Sequence, residues 1–330
     1  MAYDREISKL LVQAISLAYQ QFYKWTKKSS YNGDITNFPL FQTAFENYTQ
    51  VKSFVGYIPE QAEEETIRQR HAKQQRYADK NKKKGNNSLP SYSPYLGFVL
   101  KSNVNNIIVF RGVQTPYETK EAVEIQQVPY VCQRQKHGKI AKGISDMYTQ
   151  KSVSVGLASM KSLRKQIFKA AKQLDHNIPC YITGHSYGGA FAIVTALDLI
   201  LSEKISADNV FMYNYGATRV GDPDFAAFYN TKVRHSYRVL NLADYVPTQP
   251  SEAVLCSNLI YHYTHVSQDQ EWSFLTATGD MFKNHINIDY TQDKPQVEPY
   301  YTAVEREAEV NCKRHYPESC QDNCASQTSD

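Results

Sequence analysis

Residues 184–189 read Gly-His-Ser-Tyr-Gly-Gly and contain the spacing G-x-S-x-G. A short apolar run at 179–183 precedes them and predicts a buried strand, and an apolar run at 188–201 predicts a helix. A serine on a sharp strand-to-helix turn presents its hydroxyl at the helix N-terminus, where backbone amides favour negative charge. The spacing alone also arises by chance, so the flanking strand and helix carry the argument. They predict Ser186 as a nucleophile.

Further apolar, β-branched runs lie on both sides of this motif. Residues 106–110, 210–215 and 237–242 predict strands, and residues 153–174 predict a long helix. Apolar strands that alternate with helices indicate an α/β fold with a mostly parallel central sheet covered on both faces. In such sheets the ligand site lies beyond the carboxyl ends of the strands, which is where Ser186 falls.

The composition is that of a globular protein. Hydrophobic residues make up 42% and charged residues 21% of 330 residues, and the net charge of +4 gives no reason to expect nucleic acid as a partner. No stretch approaches the roughly 20 apolar residues of a transmembrane helix. Residues 1–25 read as an amphipathic helix without the apolar run of a signal peptide, so we expect a cytoplasmic protein, with export by another route left open.

We expect one domain over residues 1–330. An N-terminal helical region covers 1–60, a charged insertion covers 61–90, the catalytic core covers 95–295, and a polar tail covers 296–330. The basic residues of the insertion are diluted by acidic ones, which favours a solvated segment over a lipid contact. We expect part of the tail to be poorly ordered.

The tail crowds three of the six cysteines. Cys312, Cys320 and Cys324 stand near His315, but their spacing fits no common structural zinc site. A disulfide among them requires an oxidising compartment. We therefore predict no metal site.

Several motifs in one order resemble the class 3 (fungal-type) triacylglycerol lipase family of the α/β-hydrolase superfamily. The resemblance covers roughly residues 97–290, and its motifs are Ile-Val-Phe-Arg-Gly at 108–112, Ala-Lys-Gly-Ile at 141–144, the serine turn, Asn-Tyr-Gly-Ala-Thr-Arg-Val-Gly-Asp at 214–222, and Asn-Leu-Ala-Asp-Tyr-Val-Pro at 241–247. It implies an α/β-hydrolase fold and acyl-ester hydrolysis.

A serine nucleophile of this kind needs a carboxylate and a histidine. Asp244 ends a strand-like run and resembles the carboxylate that orients the histidine. Asp222 and Asp224 compete with it, but their positions favour a turn and a helix start.

The order Ser, Asp, His leaves four histidines after Asp244. Residues 284–287 (Asn-His-Ile-Asn), with Tyr290 downstream, resemble the family's terminal histidine-tyrosine segment, which favours His285. His265 lies in a segment that resembles one whose histidine is not catalytic, and it stays an alternative together with His262 and His315. We interpret His185, beside the serine, as a packed structural residue.

The resemblance implies an oxyanion hole made by the backbone N–H groups of Val113 and Tyr187. His285 then removes the Ser186 proton, the serine attacks an ester carbonyl, and water hydrolyses the acyl-enzyme. This chemistry requires no metal and no organic cofactor.

Four positions depart from the family pattern. Val113 replaces a hydroxyl residue, Tyr187 a leucine, Thr218 a proline and Ala141 a histidine. These changes spare the triad but argue against assuming long triglycerides as substrate. Two alternatives stay open: a phospholipase or acyltransferase with the same triad, and a catalytically silent hydrolase fold that binds lipid or a partner.

The stretch 116–131 follows the oxyanion turn, where the family often carries an amphipathic lid. Its apolar members predict either a lid that makes transient contact with a lipid interface or an ordinary surface helix and loop.

Overall fold

A computed structural model describes residues 3–28, 30–56, 94–150 and 161–306. Within them a central sheet of seven strands runs in the order β1-β2-β3-β6-β7-β8-β11, and two hairpins, β4-β5 and β9-β10, stand apart from it. The strands are β1 (Thr49–Val55), β2 (Tyr95–Lys101), β3 (Asn106–Phe110), β4 (Gln127–Cys132), β5 (Gln135–Ala141), β6 (Cys180–His185), β7 (Val210–Tyr215), β8 (His235–Asn241), β9 (Ala253–Cys256), β10 (Leu259–His262) and β11 (Glu271–Phe274).

The pairing within the sheet confirms the predicted mostly parallel architecture. Strands β3, β6, β7, β8 and β11 pair in parallel, whereas β1 and β2 add an antiparallel edge. The strands predicted at 106–110 and 210–215 are found with those bounds. Those predicted at 179–183 and 237–242 are each displaced by one or two residues.

Nine helices flank the sheet in the described part of the chain. They are α1 (Arg5–Lys27), α2 (Pro39–Ala44), α3 (Pro116–Ala122), α4 (Lys142–Thr149), α5 (Leu163–Ala171), α6 (Tyr187–Leu201), α7 (Pro223–Lys232), α8 (Met281–His285) and α9 (Tyr300–Arg306). Residues of α4 to α7 pack in the core on one face of the sheet, and residues of α1, α2 and α9 pack in the core on the other. The apolar residues of each strand divide between these two cores because successive side chains point to opposite faces.

Helix α1 is the amphipathic helix predicted at the N-terminus. Asp4 caps it by accepting a hydrogen bond from the Ile7 N–H, and the apolar residues of its middle turns are fully buried. The predicted helical region 1–60 is helical only in part, because β1 forms the edge of the central sheet. The aromatic residues around β1 show no clear period, so the strand was missed.

The predicted polar tail also needs correction. Its first residues belong to the core, since Val297, Tyr300 and Val304 are fully buried and α9 packs on α1. The remainder of the tail, the insertion 61–90 and the start of the helix predicted at 153–174 lie outside the described residues, so only α5 represents that helix. No helix among the described residues is long and apolar enough to span a membrane.

Candidate active site

Ser186 lies where β6 turns sharply into α6. Its backbone has φ 59° and ψ −132°, a conformation that L-residues adopt only where the surroundings impose it. The Ser186 N–H donates to the Tyr215 carbonyl at 2.9 Å, and a Cβ added to Gly188 would lie 2.4 Å from the Arg111 carbonyl oxygen. Only glycine therefore allows α6 to lie this close to β3. The local geometry is that of a nucleophile elbow.

Asp244 lies in the loop after β8, and His285 ends the short helix α8 that follows β11. The His285 Nδ1–H donates to Asp244 Oδ2 at 2.7 Å, and the Asp244 side chain is fully buried. Asp244 Oδ1 accepts from the Val246 N–H at 2.9 Å. The carboxylate thus fixes the imidazole tautomer that leaves Nε2 free to accept a proton.

Tyr300 is a member of this site that the sequence did not reveal. Its hydroxyl donates to Asp244 Oδ2 at 2.6 Å from a fully buried position. Burial and the neighbouring carboxylate raise the pKa of Tyr300 well above its usual value, so it remains a donor. The sequence pointed instead to Tyr290, which stacks on Tyr23 with ring centroids 4.6 Å apart.

Two asparagines brace the segments that carry Asp244 and His285. Asn241 donates to the Asn284 carbonyl at 3.0 Å and accepts from the Ala243 N–H at 3.2 Å. Asn284 in turn donates to the Ala243 carbonyl at 3.2 Å. These bonds join the residues directly before Asp244 and His285, so the pair is held from its backbone as well.

The other histidines occupy different environments. His265 is buried with Nε2 2.7 Å from the Pro247 carbonyl oxygen, and burial, with Arg238 nearby, lowers its pKa to about 3. His262 is exposed on β10, and His315 lies outside the described residues.

The aspartates that competed with Asp244 lie at a helix start, as predicted. Asp222 caps α7 by accepting from the Phe225 N–H at 2.8 Å, and Asp224 is exposed in the first turn of that helix.

A buried ion pair holds the predicted oxyanion turn. The Arg111 guanidinium makes two bonds to the Glu118 carboxylate, at 2.8 and 2.9 Å, and both side chains are almost completely buried. Glu118 also accepts from the N–H groups of Gln114, at 2.7 Å, and Thr115, at 3.1 Å. Thr115 and Glu118 form a capping box, a T-x-x-E signal in the sequence that would have revealed the role of Glu118.

Val113 lies in this turn between two N–H groups that are already engaged. The Gly112 N–H donates to the Tyr19 hydroxyl at 3.0 Å, and the Gln114 N–H donates to Glu118. A Cβ added to Gly112 would lie 2.8 Å from Ser186 Cβ, so the turn passes directly beside the serine. Tyr187, the second predicted donor, is the first residue of α6, where backbone N–H groups point out of the helix.

A cavity of about 390 Å³ opens next to Tyr187. Its walls are mostly apolar. They come from the end of α3 and the segment after it, from α4, and from β9 with the loop before it. The apolar lining residues include Ala122, Val123, Ile125, Ile144 and Val254. Volume and lining are those of a pocket for an apolar ligand.

The stretch 116–131, predicted as either a lid or a surface helix and loop, forms α3, a short loop and β4. Its loop is tied down by the Gly143 N–H, which donates to the Glu124 carbonyl at 3.1 Å, and by the Lys142 N–H, which donates to the Gln126 carbonyl at 2.7 Å. The stretch covers one side of the cavity. That the stretch 116–131 is a moving lid stays a prediction.

Comparison with known proteins agrees with this geometry. The family model "Lipase (class 3)" matches residues 107–254, which include the oxyanion turn, Ser186 and Asp244. A lipase from Rhizomucor miehei is 44% identical over 73 residues, which are 22% of this chain and 20% of the relative. The middle of the chain is therefore similar to the class 3 lipase family.

Other similar proteins extend the likeness. Phospholipase A1-Igamma2 of Arabidopsis thaliana is 28% identical over 173 residues, which are 48% of this chain and 32% of that protein. The structure of a fungal lipase in complex with an inhibitor aligns with a TM-score of 0.53 and 19% identity, over 82% of this chain and 89% of that one. This alignment supports the α/β-hydrolase fold. The chain spans about a fifth to a third of the length of the two curated relatives.

Proposed function

We propose that the protein is a serine carboxylic-ester hydrolase that acts on lipid-like acyl esters through Ser186, His285 and Asp244. The observation that carries this proposal is the 2.7 Å bond from His285 Nδ1 to the buried Asp244 carboxylate, at the same edge of the sheet as the Ser186 elbow. The match of residues 107–254 to the class 3 lipase family supports the reaction class.

In the proposed reaction each group has one task. His285 Nε2 takes the Ser186 proton while the serine oxygen attacks the ester carbonyl carbon, and Asp244 stabilises the imidazolium that forms. The Val113 and Tyr187 N–H groups bind the oxyanion, each worth about 3 kcal/mol in typical cases. The imidazolium then protonates the leaving alcohol. Water, deprotonated by the same histidine, releases the acid and regenerates the serine.

Lipid-like substrates are favoured by the cavity beside the nucleophile. An apolar space of about 390 Å³ next to Tyr187 suits the acyl chain of a lipid better than the polar acyl group of another ester. One relative is named a lipase and another a phospholipase A1, so neutral glycerides and phospholipids are the two substrate classes to compare.

We further propose that the face that carries the site contacts a lipid interface. Large apolar side chains are exposed on the segments that carry or flank Asp244, His285 and the cavity: Val123, Leu242, Tyr245, Leu255, Leu259, Ile260, Leu275, Met281 and Phe282. Exposed apolar surface of this kind marks a site of association. Leu255 and Ile260 are cross-strand partners on the β9-β10 hairpin, next to Val254 of the cavity wall.

The test of the reaction is hydrolysis of p-nitrophenyl esters with short and long acyl chains by the native protein, Ser186→Ala and a control, Ser206→Ala, at an exposed serine. We expect activity in the native protein and the control and none above background in Ser186→Ala. Emulsified triglyceride and phospholipid vesicles then identify the substrate class. Equal activity in Ser186→Ala would overturn the proposal.

The test of the interface compares a soluble short-chain ester with emulsified lipid. Replacing Leu255 and Ile260 together with serine should reduce hydrolysis of the emulsion and leave turnover of the soluble ester unchanged, because the hairpin lies outside the triad. An equal effect on both substrates would contradict an interfacial role.

A further inference from the structure

Tyr19 connects helix α1 to the candidate site. Tyr19 is almost fully buried, and its hydroxyl lies 3.0 Å from the Gly112 nitrogen and 2.9 Å from His185 Nδ1. On the other side of the ring, His185 Nε2 lies 3.0 Å from the His285 carbonyl oxygen. Three hydrogen bonds thus connect the oxyanion turn, the residue before the nucleophile and the backbone of the general base.

With a neutral His185, only one arrangement of protons satisfies all three bonds. The His285 carbonyl can only accept, so the His185 proton resides on Nε2 and is donated to that carbonyl. His185 Nδ1 then accepts from the Tyr19 hydroxyl, whose oxygen accepts from the Gly112 N–H. A neutral His185 therefore has a defined tautomer.

The surroundings of His185 agree with a neutral ring. It is completely buried, and this burial, together with the proximity of His285, lowers the pKa of His185 well below its usual value. Its ring stacks on His285 at 4.5 Å and meets the edge of Tyr300 at 5.3 Å. A protonated His185 would repel the imidazolium that forms on His285 during the reaction, so neutrality has a functional consequence.

We propose that Tyr19 and His185 form a positioning pair that sets the distance between the oxyanion turn and His285. The pair acts on the Val113 donor through Gly112, and on the imidazole through the His285 backbone and the stacked His185 ring. This inference rests on the proposed hydrolase function. A misplacement of about 1 Å can reduce turnover about 100-fold, so the loss of such a constraint is measurable.

The experiment measures kcat and KM of Tyr19→Phe on a soluble short-chain p-nitrophenyl ester. The matched control is Tyr229→Phe, which removes an equally buried hydroxyl that bonds the Ser236 hydroxyl at 2.9 Å, away from these three elements. We expect kcat of Tyr19→Phe to fall about 10- to 100-fold with KM changed less than about threefold, and kcat of Tyr229→Phe to stay within about twofold of the native value. Native kcat in a folded Tyr19→Phe would overturn the proposal, and so would an equal fall in both variants.

A second substitution separates the two ends of the pair. In His185→Gln the amide nitrogen can still donate to the His285 carbonyl, whereas the bond from Tyr19 is lost. We expect this variant to lose activity to a similar extent as Tyr19→Phe, with KM again little changed. A His185→Gln enzyme as active as the native protein would contradict the pair.

A measurement that leaves both members of the pair in place covers the case in which these variants do not fold. Nitrogen-15 NMR of histidine-labelled His265→Gln, which lacks the other buried neutral histidine, should show one histidine that stays neutral with its proton on Nε2 from pH 5 to pH 8. Absence of such a histidine, or a charged His185 in this range, would overturn the assignment. Residual activity of Ser186→Ala refutes the hydrolase mechanism, whereas serine-dependent activity that survives Tyr19→Phe refutes the positioning pair alone.

Discussion

The face of the sheet that carries α6 and the face that carries α1 and α9 both reach the candidate site, but by different means. On the α6 face contact is made by backbone, since α6 approaches β3 so closely that a Cβ on Gly188 would lie 2.4 Å from the Arg111 carbonyl oxygen. On the other face contact is made by tyrosine hydroxyls: Tyr19 bonds His185, and Tyr300 bonds Asp244. One face positions the nucleophile through shape, and the other positions the acid–base groups through hydrogen bonds.

Because of this difference, substitutions on the two faces should affect different properties, stability on one face and activity on the other. A steric change on the α6 face should alter the packing of the whole core, because packed interiors tolerate little added volume. The loss of a hydroxyl on the α1 and α9 face should leave the packing in place and change mainly the geometry of the acid–base groups. The predictions below test this separation.

Asp244→Asn should produce the largest effect, because the amide cannot hold the imidazole in the required tautomer or stabilise the imidazolium. We expect kcat to fall about 10³- to 10⁴-fold with little change in thermal stability, as Tyr300 can still donate to the amide oxygen. The measurement is kcat on a soluble p-nitrophenyl ester. Asp224→Asn, at an exposed position, is the control and should retain native turnover. A loss below about tenfold in Asp244→Asn would remove this carboxylate from the mechanism.

Gly188→Ala should act on stability. The added methyl group meets backbone rather than a flexible side chain, so we expect a loss of about 3 kcal/mol in the free energy of unfolding. Urea denaturation gives the value. Gly56→Ala is the control, because its Cβ would meet only the end of the Leu96 side chain, at 3.3 Å. Equal stabilities of the two variants would show that backbone contact does not set the position of α6.

Each face also buries a neutral histidine, His185 beside Tyr19 and His265 beside Pro247. Burial lowers the pKa of His265 to about 3, so between pH 6.5 and about pH 3 the unfolded chain binds a proton that the folded protein excludes. Stability is therefore retained above pH 6.5 and falls as the pH drops below it, by about 2 kcal/mol at pH 5 for this group.

His265→Gln keeps a donor for the Pro247 carbonyl and removes the titration. The loss of unfolding free energy between pH 8 and pH 5 should then be about 2 kcal/mol smaller in the variant than in the native protein, because His185 contributes equally to both. Urea unfolding at the two pH values measures it. Identical losses would show that His265 is not the buried titrating group.

Tyr300→Phe should have the smallest effect. It removes one of two donors to Asp244 Oδ2 and leaves the bond from His285 intact, so we expect kcat to fall about tenfold, or about 1.4 kcal/mol in activation free energy. Tyr213→Phe on the same face, whose hydroxyl accepts from the Asp4 N–H at 3.2 Å, serves as the control. A large loss of stability in Tyr300→Phe without loss of kcat would reverse the roles given to the two faces.

The same two faces differ in how far the sequence predicted them. The α6 face was anticipated because its strands and helices show clear apolar periods and the turn around Ser186 has a known spacing. Asp244 and His285 were chosen from motif order, and the structure places them in hydrogen-bond contact; their catalytic roles stay predictions.

Helix α1 was predicted, but the contacts that the α1 and α9 face makes with the site were missed. Tyr300 stands 56 residues after its partner Asp244, and Tyr19 stands 166 residues before His185, so no local spacing connects them. The segment that contains Tyr300 is polar in composition, and only its tertiary packing against α1 buries it. Contacts of this kind depend on the fold and leave no periodic pattern in the sequence.

The most direct test of the central claim is covalent labelling with a p-nitrophenyl alkylphosphonate. The Ser186 oxygen should displace p-nitrophenolate and form a stable phosphonate ester, because the tetrahedral adduct places its oxygen in the oxyanion hole. We expect one p-nitrophenolate released per native chain, the mass increase located on the peptide that contains Ser186, and no labelling of Ser186→Ala. Labelling of another residue, labelling that persists in Ser186→Ala, or no labelling of the native protein would contradict the account.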